Sequence, residues 1–131
     1  MKKILSIMLL AVFMLSMAAP AFAASYGGLL GKTLTVGSTT VTDEVKKTAS
    51  GSAKVTVSTQ TNGPKVWYRG RVGTNAADKA TEAKSYTSKP STDVSLSYLT
   101  GYGYVGNTYR LAIQNDSSSS ASVKVKGTWT P

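Results

Sequence analysis

Side chains that could carry out acid–base or nucleophilic chemistry are few in this 131-residue chain. It contains no His and no Cys, so neither a Ser-His-Asp triad nor a Cys-His pair can form. Zinc sites built from these two residue types are excluded for the same reason. We therefore expect a protein that holds no metal ion and no cofactor.

The carboxylate side chains also give little indication of catalysis. They are scattered along the chain, as Asp43, Glu44, Asp78, Glu82, Asp93 and Asp116. A glycoside hydrolase needs two carboxyl groups facing one cleft. Asp78 and Glu82 are four residues apart, but their segment, residues 73–84, is rich in Ala and charge and is typical of a loop. No Gly-x-Ser-x-Gly motif and no phosphate-binding glycine loop is present, so the sequence predicts a protein that is not an enzyme.

Three residues with binding chemistry occupy alternate positions: Trp67, Arg69 and Arg71. Alternate residues of a strand share one face, so these three would stand together on the outside of a sheet. An exposed Trp beside two guanidinium groups could stack on a sugar ring and pair with phosphate or carboxylate. The alternative is that another strand or loop covers Trp67 and that the arginines are ordinary solvated charges.

A second candidate site lies in a segment rich in glycine and tyrosine, where Tyr98, Tyr102 and Tyr104 are close in sequence. Tyr offers flat, amphipathic contact area, and binding sites often lie on loops. The alternative is that the glycines supply turn geometry and the tyrosines close one end of the fold.

Net charge points to the class of partner. The chain carries 15 Lys and Arg against 6 acidic residues, which favours an anionic cell-wall polymer, glycan or lipid head group. Lys124 and Lys126, alternating outward, could extend such a surface. We expect no specific nucleic-acid partner, since no recognised binding module is visible. The alternative is that the lysines serve solubility and protect exposed strand edges.

Period-two hydrophobic alternation predicts the fold. It recurs at residues 32–42, 52–61, 65–72, 84–88, 92–99, 108–114 and 121–129. Within 32–42, Gly37-Ser38 could form a bulge or a hairpin turn. Within 65–72 it places Val66, Tyr68 and Val72 inward, and within 108–114 it places Ala112 and Gln114 outward. Residues 43–47 read as a charged turn, and no segment favours a helix convincingly. About seven short strands with polar turns indicate a small antiparallel β-sandwich or barrel, of which we favour the sandwich.

The first 23 residues have the three parts of a secretory signal peptide. Lys2 and Lys3 precede an apolar run over residues 4–19, and Ala21-Phe22-Ala23 is a small-x-small cleavage site. We expect a cleavable helical signal over 1–23 and a single secreted β-sandwich domain over 24–131, with a formal charge of about +7 and no stable membrane insertion after cleavage.

The C-terminal third resembles small secreted β-sandwich proteins of unknown function from Gram-positive bacteria. Residues 109–116 read Tyr-Arg-Leu-Ala-Ile-Gln-Asn-Asp, and residues 123–129 read Val-Lys-Val-Lys-Gly-Thr-Trp. In those proteins a strand of the type Tyr-x-Leu-x-Ala-x-Asn pairs with a closing strand that ends Val-x-Gly-x-Trp. The likeness covers residues 55–131 and implies a small exported β-sandwich, with no catalytic residue to carry over.

These features together favour a secreted, non-enzymatic binding or structural protein that associates with the cell envelope or with anionic extracellular glycans. The alternative is a cationic, bacteriocin-like antimicrobial protein, although no strongly amphipathic helix is visible. A secreted inhibitor of another enzyme is a third hypothesis, with residues 73–84 and 100–107 as its contact loops. The sequence does not specify an oligomeric state.

Overall fold

A computed structural model describes residues 32–131. The expected signal peptide, residues 1–23, lies outside the described residues. In the described part the chain forms strands and loops without a helix, and no helix there is long and apolar enough to cross a membrane. The strands are β1 (Lys32–Leu34), β2 (Thr39–Val41), β3 (Val45–Lys46), β4 (Ala53–Gln60), β5 (Val66–Arg71), β6 (Lys84–Tyr86), β7 (Val94–Leu96), β8 (Thr108–Asn115) and β9 (Val123–Thr130).

These strands form two antiparallel sheets, which confirms the predicted all-β class. One sheet has the order β1-β9-β4-β7, and the other has the order β2-β8-β5-β6, with β3 also pairing with β8. Alternate residues of both sheets enter one hydrophobic core, because each long strand carries an apolar face and a polar face. The arrangement is sandwich-like, and the two outer faces point in opposite directions.

At Gly37-Ser38, where the sequence allows a bulge or a hairpin turn, the structure has a turn that joins strands of different sheets. Residues 32–42 do not form one strand, because a turn at Gly37, whose φ is 72°, separates β1 from β2. β1 pairs with β9 and β2 pairs with β8, so the chain crosses from one sheet to the other. The predicted charged turn over 43–47 instead contains β3, and Lys47 is buried. The described residues therefore contain nine strands rather than about seven.

Buried polar contacts hold the two sheets in a fixed relation. The Tyr68 hydroxyl of β5 donates to Gln60 Oε1 of β4 at 2.6 Å, and Gln60 Nε2 donates to the Tyr86 carbonyl at 2.9 Å. Asn115 Nδ2 donates to the carbonyls of Leu34, 3.1 Å away, and Ala121, 3.0 Å away. Such directional bonds between layers leave little freedom for one sheet to slide on the other.

Candidate functional site: an arginine-lined pocket

The outer face of the β2-β8-β5-β6 sheet contains a shallow pocket of about 230 Å³. Its lining consists of Trp67, Arg69, Arg71, Ala83, Ala112 and Gln114. The register explains its shape: Trp67 of β5 lies opposite Gln114 of β8, and Arg69 lies opposite Ala112. Since a methyl group stands between larger side chains, Ala112 forms a depression in the sheet surface.

Trp67 is partly buried and held in place by Asp116. Its indole Nε1 donates to Asp116 Oδ2 at 2.6 Å, and Lys65 Nζ lies 5.9 Å from the centre of the ring. Hydrogen bonds from the Ser118 side chain, from Trp67 and from the Ser118 backbone lower the pKa of Asp116 to about 2. Because that pKa lies below the usual value of an Asp, the carboxylate acceptor is present above it and is lost only as the pH falls towards 2.

Arg69 is the unpaired cation of the pocket. Its side chain is partly buried and makes no ion pair or hydrogen bond within residues 32–131, and its Nε is buried without a partner. Buried polar groups normally have a partner. A guanidinium left without one beside an open pocket can donate to a bound oxyanion.

Arg71 was predicted to stand exposed beside Arg69, and this is wrong: it is only 7 % exposed. β5 ends at Arg71, and the following loop folds back over it, with the Val72 amide donating to the Asp78 carbonyl at 3.0 Å. Arg71 Nη1 donates to the Thr74 carbonyl at 3.1 Å. Val72, predicted inside, is 40 % exposed because it lies beyond the strand end.

The pocket has an excess of positive charge. Burial, and then the neighbouring Arg69, lower the pKa of Arg71, while Asp78 partly offsets them. Arg110 Nη2 forms an ion pair with Glu44 Oε1 at 3.1 Å. Arg110 lies opposite Arg71 and is neutralised by Glu44, whereas Arg69 and Arg71 have no carboxylate of residues 32–131 within 4 Å.

Lys124 and Lys126 do not extend this surface. They lie on β9, in the other sheet, and their side chains are exposed. Because both sheets turn their apolar sides to one core, these lysines point away from Arg69. The basic charge is therefore divided between two opposite faces, and the continuous surface suggested by the sequence is absent from the described structure.

The glycine-tyrosine loop lies at another place. Tyr98 is partly buried and packs on Tyr109, with ring centroids 5.0 Å apart, whereas Tyr102 and Tyr104 are 39 % and 62 % exposed. None of the three tyrosines lines the pocket. From Gln114, opposite Trp67, to Tyr109 the distance along β8 is roughly 17 Å. The structure does not bring the two predicted groups together.

Tyr98 also contacts a buried cation that the sequence analysis assigned to a turn. Lys47 Nζ lies 4.7 Å from the centre of the Tyr98 ring and donates to the Gly51 carbonyl at 2.8 Å. Burial lowers the pKa of Lys47. Tyr98 thus packs against the core, and its hydroxyl oxygen is buried with no partner in the described chain.

Tyr98→Phe is expected to raise the free energy of unfolding at neutral pH by about 1 kcal/mol, because it removes an unpaired buried hydroxyl. Burial also raises the pKa of Tyr98 above its usual value. Because the pKa of Tyr98 is higher in the folded than in the unfolded protein, the free energy of unfolding depends on pH. The stabilisation linked to this pKa difference is complete below the unfolded pKa of about 10 and is lost as the pH rises towards the folded pKa. Tyr98→Phe should therefore lose less stability between pH 9 and about 12, as measured by urea unfolding.

The control for this substitution is Tyr109→Phe. The Tyr109 hydroxyl accepts a hydrogen bond from the Gly103 amide at 2.8 Å, so its removal should destabilise the protein. If Tyr98→Phe is the more destabilising of the two, the Tyr98 hydroxyl has a partner and this interpretation is wrong.

Sequence reasoning missed half of the pocket lining. Alternation correctly placed Ala112 and Gln114 on the outer face of their strand, but nothing local indicates that β8 is the neighbour of β5. Ala83 precedes the short edge strand β6 and carries no chemical signal of its own. Among residues 32–131, no group of three or more His, Cys, Asp or Glu side chains could hold a metal ion.

Comparisons with known protein families, with curated protein sequences and with solved structures find no match for this chain. The resemblance of residues 55–131 to small secreted proteins of Gram-positive bacteria consequently remains a prediction.

Proposed function

We propose that this protein is a secreted, non-enzymatic β-sandwich that associates with the bacterial cell envelope by binding an anionic polymer or glycan. The observation that carries the proposal is the unpaired Arg69 guanidinium beside the fixed Trp67 ring in an open pocket. Export follows from the signal peptide expected over residues 1–23. The pocket supplies the binding site.

The residue types in the pocket favour an oxyanion over other ligands. A guanidinium presents a planar set of donors that matches carboxylate and phosphate, and it is more weakly hydrated than an ammonium group. An aromatic face next to it adds apolar contact area with a sugar ring. Lysines spread over a surface would instead attract any polyanion without selecting among them.

The size of the pocket suggests that it takes one unit of a longer ligand. Its volume of about 230 Å³ lies below the roughly 300–1,000 Å³ of pockets that enclose a whole drug-sized molecule. An extended polymer could place one unit in the pocket while the rest follows the sheet surface. Repeated units on a wall would then give multivalent retention from weak individual contacts.

Retention of the secreted protein on purified Gram-positive cell walls, measured across a salt series, tests this proposal. Arg69→Gln should reduce the affinity for the wall about tenfold, as expected when a charge-assisted hydrogen bond is lost. Lys126→Gln is the matched control, because it removes the same charge from the opposite face and should change affinity less than threefold.

Two results would contradict the proposal. If the wild-type protein is not retained even at low salt, association with the envelope is wrong. If both substitutions weaken retention equally, binding depends on total charge, and the pocket is not the site.

A further inference from the structure

We infer that the pocket recognises a single acidic sugar unit, and that it requires both parts of that unit, the ring and the oxyanion. This inference rests on the proposed function and specifies the ligand of the same site. The shared chemistry is a pyranose ring carrying a carboxylate or a phosphate, with the ring on Trp67 and the oxyanion at Arg69.

The spacing of the two side chains sets the first requirement. Trp67 and Arg69 are alternate residues of β5 and share its outer face, so their Cα atoms are about 7 Å apart. This separation suits a six-membered ring whose acid group projects from one end. A free anion without a ring would contact Arg69 alone, and a neutral sugar would contact Trp67 alone.

Unpaired donors around the pocket give the second requirement. The Gln114 amide, like the Arg69 guanidinium, makes no side-chain hydrogen bond to the described chain, and it lies directly across from Trp67. Arg71 Nε is buried without a partner among residues 32–131. Pockets commonly fix a ligand through a few convergent polar groups such as these. Gln114 is placed to reach a ring hydroxyl while the arginines attract the acid group.

The pocket is also pre-formed, which lowers the cost of binding. Asp116 fixes the indole of Trp67, and the Thr74 carbonyl holds the guanidinium of Arg71. Arg69 and Gln114, whose side chains have no hydrogen-bond partner among residues 32–131, are left to bind the ligand. Asp116 therefore acts as a positioning residue for Trp67, although its own negative charge opposes an anionic ligand.

The test is a titration of the full secreted protein followed by NMR of its indole N–H signals. The chain has two Trp, so the signal of Trp67 reports on the pocket and that of the buried Trp129 serves as an internal reference. The probes are glucuronate, glucose 6-phosphate, glucose and glycerol phosphate. At least one acidic sugar should bind ten times more tightly than either glucose or glycerol phosphate.

The two acidic sugars distinguish a carboxylate ligand from a phosphate ligand. If glycerol phosphate binds as tightly as both acidic sugars, the ring plays no part and the inference is wrong. If glucose binds as tightly, the oxyanion plays no part, and the inference is equally wrong.

Asp116→Ala separates ring positioning from general electrostatics, because the two predict opposite signs. It raises the net charge by one unit, so non-specific attraction would tighten acidic-sugar binding. Loss of the indole hydrogen bond should instead weaken it about fivefold. Asp93→Ala makes the same change in charge near β7, in the other sheet, and should leave the affinity within twofold of wild type.

Different experimental results would overturn this inference and the proposed function. Retention on walls that depends on Arg69, without binding of either acidic sugar, would overturn the inference alone. Acidic-sugar binding by a protein that cell walls do not retain would overturn the envelope association alone.

Discussion

Gly127→Ala should destabilise the fold by about 4 kcal/mol or more, a loss that few single substitutions reach. Gly127 lies on the buried side of β9, opposite Val57 of β4. A Cβ atom at this position would overlap the backbone carbonyl oxygen of Thr56 and lie 3.1 Å from Val57 Cα. Backbone atoms of a central strand cannot move aside without breaking the ladder that pairs β4 with β9.

The close approach lies beside an irregularity in the pairing. The register of β4 against β9 shifts between Val57 and Thr59, directly next to the Val57–Gly127 pair. A glycine in a strand interior often marks such a contact. The long central pair β4–β9 thus depends on a missing side chain at one position.

Urea unfolding, followed by the fluorescence of the buried Trp129, measures this effect. Gly101→Ala is the control: its φ is 88°, and no atom lies within 4 Å of the added Cβ, so it should cost only about 1–2 kcal/mol. If the two substitutions cost the same, overlap with β4 is not the reason for the glycine.

Alternation predicted the long strands well because each has one face in the core and one in water. β4, β5, β8 and β9 lie within one or two residues of their expected bounds. The alternation pattern was less informative where a short stretch of chain passes from one sheet to the other. Residues 32–42 alternate as one strand would, and only the pairing partners of β1 and β2, which lie far along the chain, show that the chain changes sheets at Gly37.

Charge misled the prediction at residues 43–47. Charged residues usually indicate a segment exposed to solvent. The buried Lys47 ammonium group instead donates a hydrogen bond to the Gly51 carbonyl and contacts the Tyr98 ring. That environment depends on a tyrosine 51 positions away in the sequence, so no local pattern could indicate it.

The candidate site was predictable only in part for the same physical reason. Trp67 and Arg69 share a face by strand geometry alone, without knowledge of neighbouring strands. The burial of Arg71 depends on how the loop after β5 folds back, and the depth of the pocket depends on which residue of β8 lies opposite Arg69. Register between distant strands, rather than local pattern, turns a row of side chains into a pocket.

The second large effect is expected at Ala112, the residue of β8 that lies opposite Arg69. Ala112→Leu places three more carbon atoms in the lining of the pocket and leaves every charge unchanged. We expect it to reduce the affinity for cell walls at least tenfold, because a filled pocket excludes the ring of the ligand while Arg69 and Arg71 remain. Retention on walls and the glucuronate titration measure this loss, and thermal unfolding shows whether the variant is folded.

Ala83→Leu, on the β6 side of the pocket, is the second variant if Ala112→Leu does not fold. Ala53→Val would be unsuitable as a control, because Ala53 is fully buried in the core. Thr56→Leu is a better control, since Thr56 is exposed on the opposite sheet, and it should leave wall binding unchanged.

Unaltered binding by a folded Ala112→Leu protein would mean that the arginines attract the wall from the rim, as exposed charges do, and that the shape of the pocket is irrelevant. A loss confined to the filled variant would require a ligand unit that enters the pocket, because the net charge of the protein has not changed.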